Sequence, residues 1–136
     1  MRKPQSRTLF AGQTMTMDKA DFGRVGEETA AKYLAGLGFK ILEQSYRCPM
    51  GELDIIASEG GALVFVEVKA RSTGAFGGAL LAVNRRKQEK IIKTALSYIK
   101  SRGMKPKSIR FDVIAIQASS PPNLVRNAFT PSRYAY

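Results

Sequence analysis

The stretch that decides the fold runs from residue 51 to residue 70 and reads GELDIIASEGGALVFVEVKA. Two apolar runs, at 52–58 and 62–70, flank Glu59-Gly60-Gly61, a combination typical of a tight hairpin turn. In the second run, residues on both faces of the strand are mostly apolar, as they are in a strand with neighbours above and below. The stretch therefore predicts two antiparallel strands, with the second in the centre of a sheet.

Three charged residues interrupt these apolar runs. Asp54 lies in the first, whereas Glu67 and Lys69 share one face of the second, about 7 Å apart along the strand. The hairpin would bring Asp54 beside Glu67, and two adjacent carboxylates repel each other unless a divalent cation lies between them. The alternative is an internal salt bridge from Lys69 to either acid.

The sequence on either side of the hairpin predicts alternating helices and strands. A helix is expected from Asp18 or Asp21 to about Leu37, and a second helix begins after Asn84 as its N-cap. The remaining segments are a strand at 39–47, a Gly-rich loop at 72–78, a strand at 109–116 and a short final segment at 123–129. The order is helix, three strands, helix, strand, which is typical of an α/β fold.

The length of 136 residues allows one modest core and predicts one domain, at residues 18–129. Residues 1–17 show no helix or strand periodicity and are expected to form a disordered basic arm, and residues 130–136 a tail. No stretch reaches the ~20 apolar residues that span a bilayer, and the N-terminus has no secretory signal. The sequence therefore predicts a cytoplasmic protein without a membrane segment.

Two further polar residues are placed by helical spacing. Glu27 lies at the edge of the first helix's apolar stripe, whereas Glu28 points away from it, so Glu27 can reach the sheet. The alternative is that both are surface acids stabilised by the helix dipole. Gln88 lies on the inward face of the second helix, where it either contacts an active site or caps a backbone group. Asp112 is either another inward acid or a structural one.

The charge balance points to a polyanionic partner. The chain has 22 Lys and Arg against 11 Asp and Glu, a formal net charge of +11. Such a surplus attracts nucleic acid, because each neutralised phosphate releases condensed counterions. A generally basic surface or an anionic membrane face is the alternative. The expected phosphate contacts are the basic residues after the strand at 62–70 and around the second helix: Arg71, Arg85, Arg86, Lys87, Lys90 and Lys93.

The absence of histidine and the presence of one cysteine, Cys48, exclude several site types within this chain. Zinc clusters, disulfide frameworks, Ser-His triads and Cys-His dyads all need residues that it lacks. Catalysis would have to rely on carboxylates, lysine, hydroxyl groups or a bound metal ion.

The ordered motifs at 51–57 and 65–69 resemble the signature of the PD-(D/E)xK nuclease superfamily, which includes restriction endonucleases. With Gly26-Glu27, the Lys87-Gln88 helix, the segment at 110–113 and the segment at 127–129, the chain resembles the bacterial YraN family, which is related to archaeal Holliday-junction resolvases. The resemblance covers about residues 22–129. Leu53 stands where the superfamily name has Pro.

The resemblance implies a restriction-endonuclease-like αβββαβ core with a mixed sheet flanked by helices. It implies that Asp54 and Glu67 bind Mg²⁺ or Mn²⁺, with the Val68 carbonyl and Glu27 as further ligands. Lys69 would act on the attacking water, with Gln88 nearby. The expected activity is metal-dependent hydrolysis of phosphodiester bonds in DNA, favoured over RNA, in branched or single-stranded form. A homodimer is expected from the resolvases, and a non-catalytic nucleic-acid-binding module is the alternative.

Overall fold

The computed structural model describes residues 19–71 and 81–131. Its elements are α1 (Lys19–Gly36), β1 (Lys40–Cys48), β2 (Gly51–Glu59), β3 (Ala62–Arg71), α2 (Arg85–Ser101), β4 (Ser108–Gln117) and β5 (Asn123–Phe129). The arm expected at 1–17, the Gly-rich loop at 72–78 and residues 132–136 of the expected tail lie outside the described residues.

The five strands form one sheet in the order β1-β2-β3-β4-β5. Neighbouring strands are antiparallel except β3 and β4, which are parallel because α2 carries the chain back across the sheet between them. The expected α/β class, with a mixed sheet flanked by helices, is confirmed. The segment at 123–129, which the sequence leaves without a structural type, is a fifth strand antiparallel to β4.

The core has two halves because side chains alternate across the central strand β3. On one face, Phe65 stacks on Phe111, with ring centroids 5.6 Å apart, and packs under α2 beside Tyr98. On the other face, Val64 and Val66 pack under α1. The central position predicted for β3 is confirmed, and both helices are held over the strand that carries Glu67.

Each helix is fixed by local features of its sequence. Asn84 caps α2 as predicted, since its side-chain oxygen accepts a hydrogen bond of 2.9 Å from the Lys87 N–H. Gly26 allows α1 to lie close to β3, because a Cβ atom at this position would be 2.7 Å from the Cβ of Ala70. In the described part of the chain, neither helix has the length and apolar composition needed to cross a membrane.

Asp112 is a structural acid, one of the two alternatives left open by the sequence. Its side chain is fully buried, and Arg110 donates to both carboxylate oxygens at 2.8 Å. The Asn127 N–H donates a further hydrogen bond of 2.9 Å. Glu59 binds Arg110 and Arg126 and extends the network to β5. Asp112 thus has its partners inside the protein and joins β4 to β5.

We expect Arg110→Met to lower the free energy of unfolding by about 3 kcal/mol, because it leaves the Asp112 carboxylate buried without its cation. Arg126→Met is the matched control, since Arg126 also binds Glu59 but its side chain is 47% exposed. An exposed pair of this kind contributes below about 1 kcal/mol. Urea unfolding of both variants measures the difference, and equal losses would contradict the assigned role of Arg110.

Candidate active site

The candidate site lies where β2 and β3 separate. Their backbone pairing ends at Ile55 and Val66, so Asp54 and Glu67 occupy the next position in register. Instead of a backbone pair, the Asp54 carboxylate accepts a hydrogen bond of 2.8 Å from the Val68 N–H. The structure therefore brings the two acids together at the open end of the hairpin, and Asp54 fills the gap between the strands.

Burial and like charge act together on Asp54. Burial of the carboxyl raises its pKa to about 8, with the nearby Glu67 carboxylate as the next largest cause and Glu27 as a smaller one. The hydrogen bond from Val68 acts in the opposite direction but is weaker. At neutral pH the folded protein therefore holds a proton on Asp54, or needs another positive charge beside it.

Glu27 reaches this site from α1, on the side that helical spacing predicts. It lies on the wall of the same cleft as Asp54, whereas Glu28 is exposed. The Ser45 hydroxyl donates a hydrogen bond of 2.9 Å to the Glu27 carboxylate, and Ser45 has a left-handed backbone with φ 53°. The missing side chain of Gly26 lets this part of the helix lie close to Ala70 of the sheet. Ser45 is not predicted from the sequence, because nothing in its local pattern marks that backbone conformation.

The two lysines near Glu67 have different partners. The Lys69 Nζ donates to the main-chain carbonyl of Ala82, whereas the Lys87 Nζ lies 3.0 Å from the Glu67 carboxylate. Burial lowers the pKa of Lys69, and the Glu67 charge raises the pKa of Lys87. The sequence left open an internal salt bridge from Lys69 to one of the acids. In the structure Glu67 instead pairs with Lys87 of α2, one of the residues predicted to bind phosphate.

Gln88 binds a backbone group, which is one of the two roles that its position in the sequence predicts. Its side-chain amide donates a hydrogen bond of 2.7 Å to the carbonyl of Val83, just before α2 begins. It is not among the residues that form the cleft wall. Gln88 and the Asn84 cap together fix the entrance of α2, and thereby the position of Lys87.

The acids line a cleft with a volume of about 650 Å³, and basic residues surround them. Of the six predicted phosphate contacts, Arg71, Lys87 and Lys90 line the cleft, while Arg85, Arg86 and Lys93 are exposed outside its wall. The cleft is also lined by Arg47 and Cys48 from the end of β1, which the sequence does not predict as site residues. Only the turn between β1 and β2 brings them there, so no local pattern reveals them.

The donor set was compared with what a hard divalent cation requires. Within residues 19–71 and 81–131, no group of three or more acidic or cysteine side chains is arranged to hold a metal ion. Mg²⁺, however, is usually held by one or two carboxylates and keeps several waters. Burial and, next to it, repulsion from Glu67 raise the pKa of Asp54, and a divalent cation between the two carboxylates would relieve that repulsion. Asp54 and Glu67 therefore suit a cation that retains part of its water shell.

Comparisons with known proteins identify relatives over most of the chain. The model of "Uncharacterised protein family UPF0102" matches residues 26–116. A UPF0102 protein of Geotalea daltonii is 50% identical over 99 residues, which are 73% of this chain and 78% of the relative. One of Moorella thermoacetica is 45% identical over 102 residues, 75% of this chain and 85% of the relative. A third, of a Sulfurihydrogenibium species, is 41% identical over 114 residues, which are 84% of this chain and 98% of the relative.

We expect Asp54→Asn to stabilise the metal-free protein at neutral pH. The Asp54 pKa is near 8 in the folded state against an ordinary value of 3.8, so the folded state retains a proton that the unfolded state releases. Stability should therefore fall as the pH rises through this window, and asparagine, which can still accept from Val68, should remove that fall. Urea unfolding in EDTA between about pH 4 and pH 9 measures it; parallel curves for both proteins would contradict it.

Gly26→Ala tests the contact that positions Glu27. The added methyl group would overlap Ala70, so we expect a loss of about 1 to 3 kcal/mol in unfolding free energy. Ala70→Gly in the same chain removes the clash, and the double variant should lose less than the sum of the two single variants. Unfolding of the three variants by urea gives this coupling; additive losses would mean that the close approach has no energetic role.

Proposed function

This chain belongs to the UPF0102 family, and we propose that it is a metal-dependent nuclease that hydrolyses phosphodiester bonds in DNA. The observation that carries the proposal is the pairing of Asp54 with Glu67 at the fork between β2 and β3, inside a cleft with basic walls. Buried carboxylates of like charge are unfavourable for folding, and their placement beside cationic side chains suits a site for a metal ion and a phosphate.

Asp54 and Glu67 would hold Mg²⁺ or Mn²⁺, with the Val68 carbonyl and Glu27 as candidates for further direct or water-mediated contacts. The metal ion, when bound, lowers the pKa of a coordinated water and neutralises charge on the phosphate. The chain's own residues supply the remaining functions. Glu27, fixed by Ser45, adds negative charge at the site, and the cationic wall binds the sugar-phosphate backbone of one strand.

Lys69 is the residue that the resemblance assigns to the attacking water. Burial lowers its pKa, which increases the fraction of neutral amine able to accept a proton. Its Nζ also contacts the Ala82 carbonyl, so the amine is held at the junction between β3 and the segment before α2. Lys69 shares a strand face with Glu67 but is not among the residues that line the cleft, so its amine would have to leave the Ala82 carbonyl to act on the water.

Cleavage of linear, single-stranded and four-way-junction DNA in Mg²⁺, Mn²⁺ or EDTA tests the proposal. We expect metal-dependent cleavage that Asp54→Asn and Glu67→Gln each reduce by about 10³-fold or more, because each change removes a charged ligand. Glu27→Gln should reduce cleavage as well. The matched control is Glu28→Gln, which changes the adjacent but exposed acid of the same helix turn and should retain wild-type activity.

The second candidate is a non-catalytic nucleic-acid-binding module with the same fold. It is favoured by one observation, that the Glu67 carboxylate already has a cationic partner in Lys87. DNA or RNA binding that survives EDTA, weakens steeply with salt and occurs without cleavage would support this module and contradict the nuclease. If Asp54→Asn and Glu67→Gln both left cleavage unchanged, the activity would come from a contaminant, and this result would also contradict the nuclease proposal.

A further inference from the structure

The ion pair between Lys87 and Glu67 joins two side chains of very different exposure. The Glu67 side chain is 12% exposed and the Lys87 side chain 56%, with Nζ and Oε2 separated by 3.0 Å. The acid is thus fixed in the sheet, whereas the ammonium lies at the end of a flexible four-carbon stem and faces the cleft. If the pair separates, Lys87 is the partner that moves.

The position of Lys87 is built by its surroundings. Its backbone N–H is bound by the Asn84 cap, which places the residue in the first turn of α2 above the open end of β3. Its Nζ lies 3.0 Å from the Glu67 carboxylate, and Lys87, Glu67 and Asp54 line the same cleft. Lys87 therefore lies where a cation beside Glu67 is needed.

The other nearby cations have different partners. Lys69 donates to the Ala82 carbonyl, and Arg71 donates a hydrogen bond of 3.0 Å to the Ala70 carbonyl. Lys90 lies one turn further along α2, with its stem against Gly51. Among the described residues, Lys87 is the cation whose ammonium is paired with Glu67.

We propose that Lys87 is an internal counter-ion that occupies the Glu67 carboxylate until a divalent cation replaces it, and that the released ammonium then contacts the phosphate in the cleft. This inference rests on the proposed function and adds a residue to it. The same side chain would first reduce repulsion in the metal-free site and later bind substrate, which couples metal loading to phosphate binding. Lys87 competes with the metal ion for the Glu67 carboxylate. Once released, its ammonium binds the phosphate together with the metal ion.

Mn²⁺ titration of wild type, Lys87→Met and Lys90→Met by calorimetry tests the competition without a cleavage assay. We expect Lys87→Met to bind Mn²⁺ about tenfold more tightly, because the metal no longer has to break a charge-assisted pair. Lys90→Met removes a charge from the same helix and cleft, so it controls for general electrostatics and should change the affinity by less than about threefold at physiological salt.

Two outcomes overturn the inference in distinguishable ways. If wild type binds Mn²⁺ and Lys87→Met binds it no more tightly than Lys90→Met does, the counter-ion role is wrong while the nuclease proposal stands. If none of the three proteins binds Mn²⁺, the nuclease proposal fails together with the inference. Tighter Mn²⁺ binding by Lys87→Met, combined with a lower cleavage rate at saturating metal, supports both roles, since a purely structural change would not raise metal affinity.

Discussion

The hydrogen bond from the Val68 N–H to the Asp54 carboxylate replaces the next step of the ladder between β2 and β3. A side chain can take the place of a backbone partner here because the strands separate at this position. The backbone donor is satisfied, and the acid is held at the mouth of the fork beside Glu67. The positions of α1 and α2 over β3 then determine which charges face this pair.

The site has unfavourable electrostatics that the rest of the fold compensates. Burial and the Glu67 charge oppose ionisation of Asp54, while the two halves of the core hold β3 in place from both faces. On β4, Asp112 lies in register with Val66, but its side chain is fully buried and is paired with Arg110 and the Asn127 N–H. Acids with little solvent exposure thus occur on β2, β3 and β4, and their partners distinguish a structural acid from a candidate functional one.

The net charge of +11 is distributed so that cations surround the acids of the cleft. Basic walls raise the local concentration of a polyanion, and a cleft of about 650 Å³ limits how much of it can enter. Arg47 comes from the β1–β2 hairpin and Lys90 from α2, so the two sides of the wall come from distant parts of the sequence. Their meeting is a property of the tertiary structure.

The sequence by itself determined the α/β class, the hairpin, the central strand and the adjacency of Asp54 and Glu67. Each of these depends on local alternation and on a turn whose register follows from Glu59-Gly60-Gly61. Tertiary structure decided which cation pairs with Glu67. The strand pattern suggests Lys69, and only the packing of α2 brings Lys87 within 3.0 Å. It also decided that Asp112 is structural. Arg110 lies two residues away on the same strand, a spacing visible in the sequence, but Asn127 and Glu59 complete the network only through the pairing of distant strands.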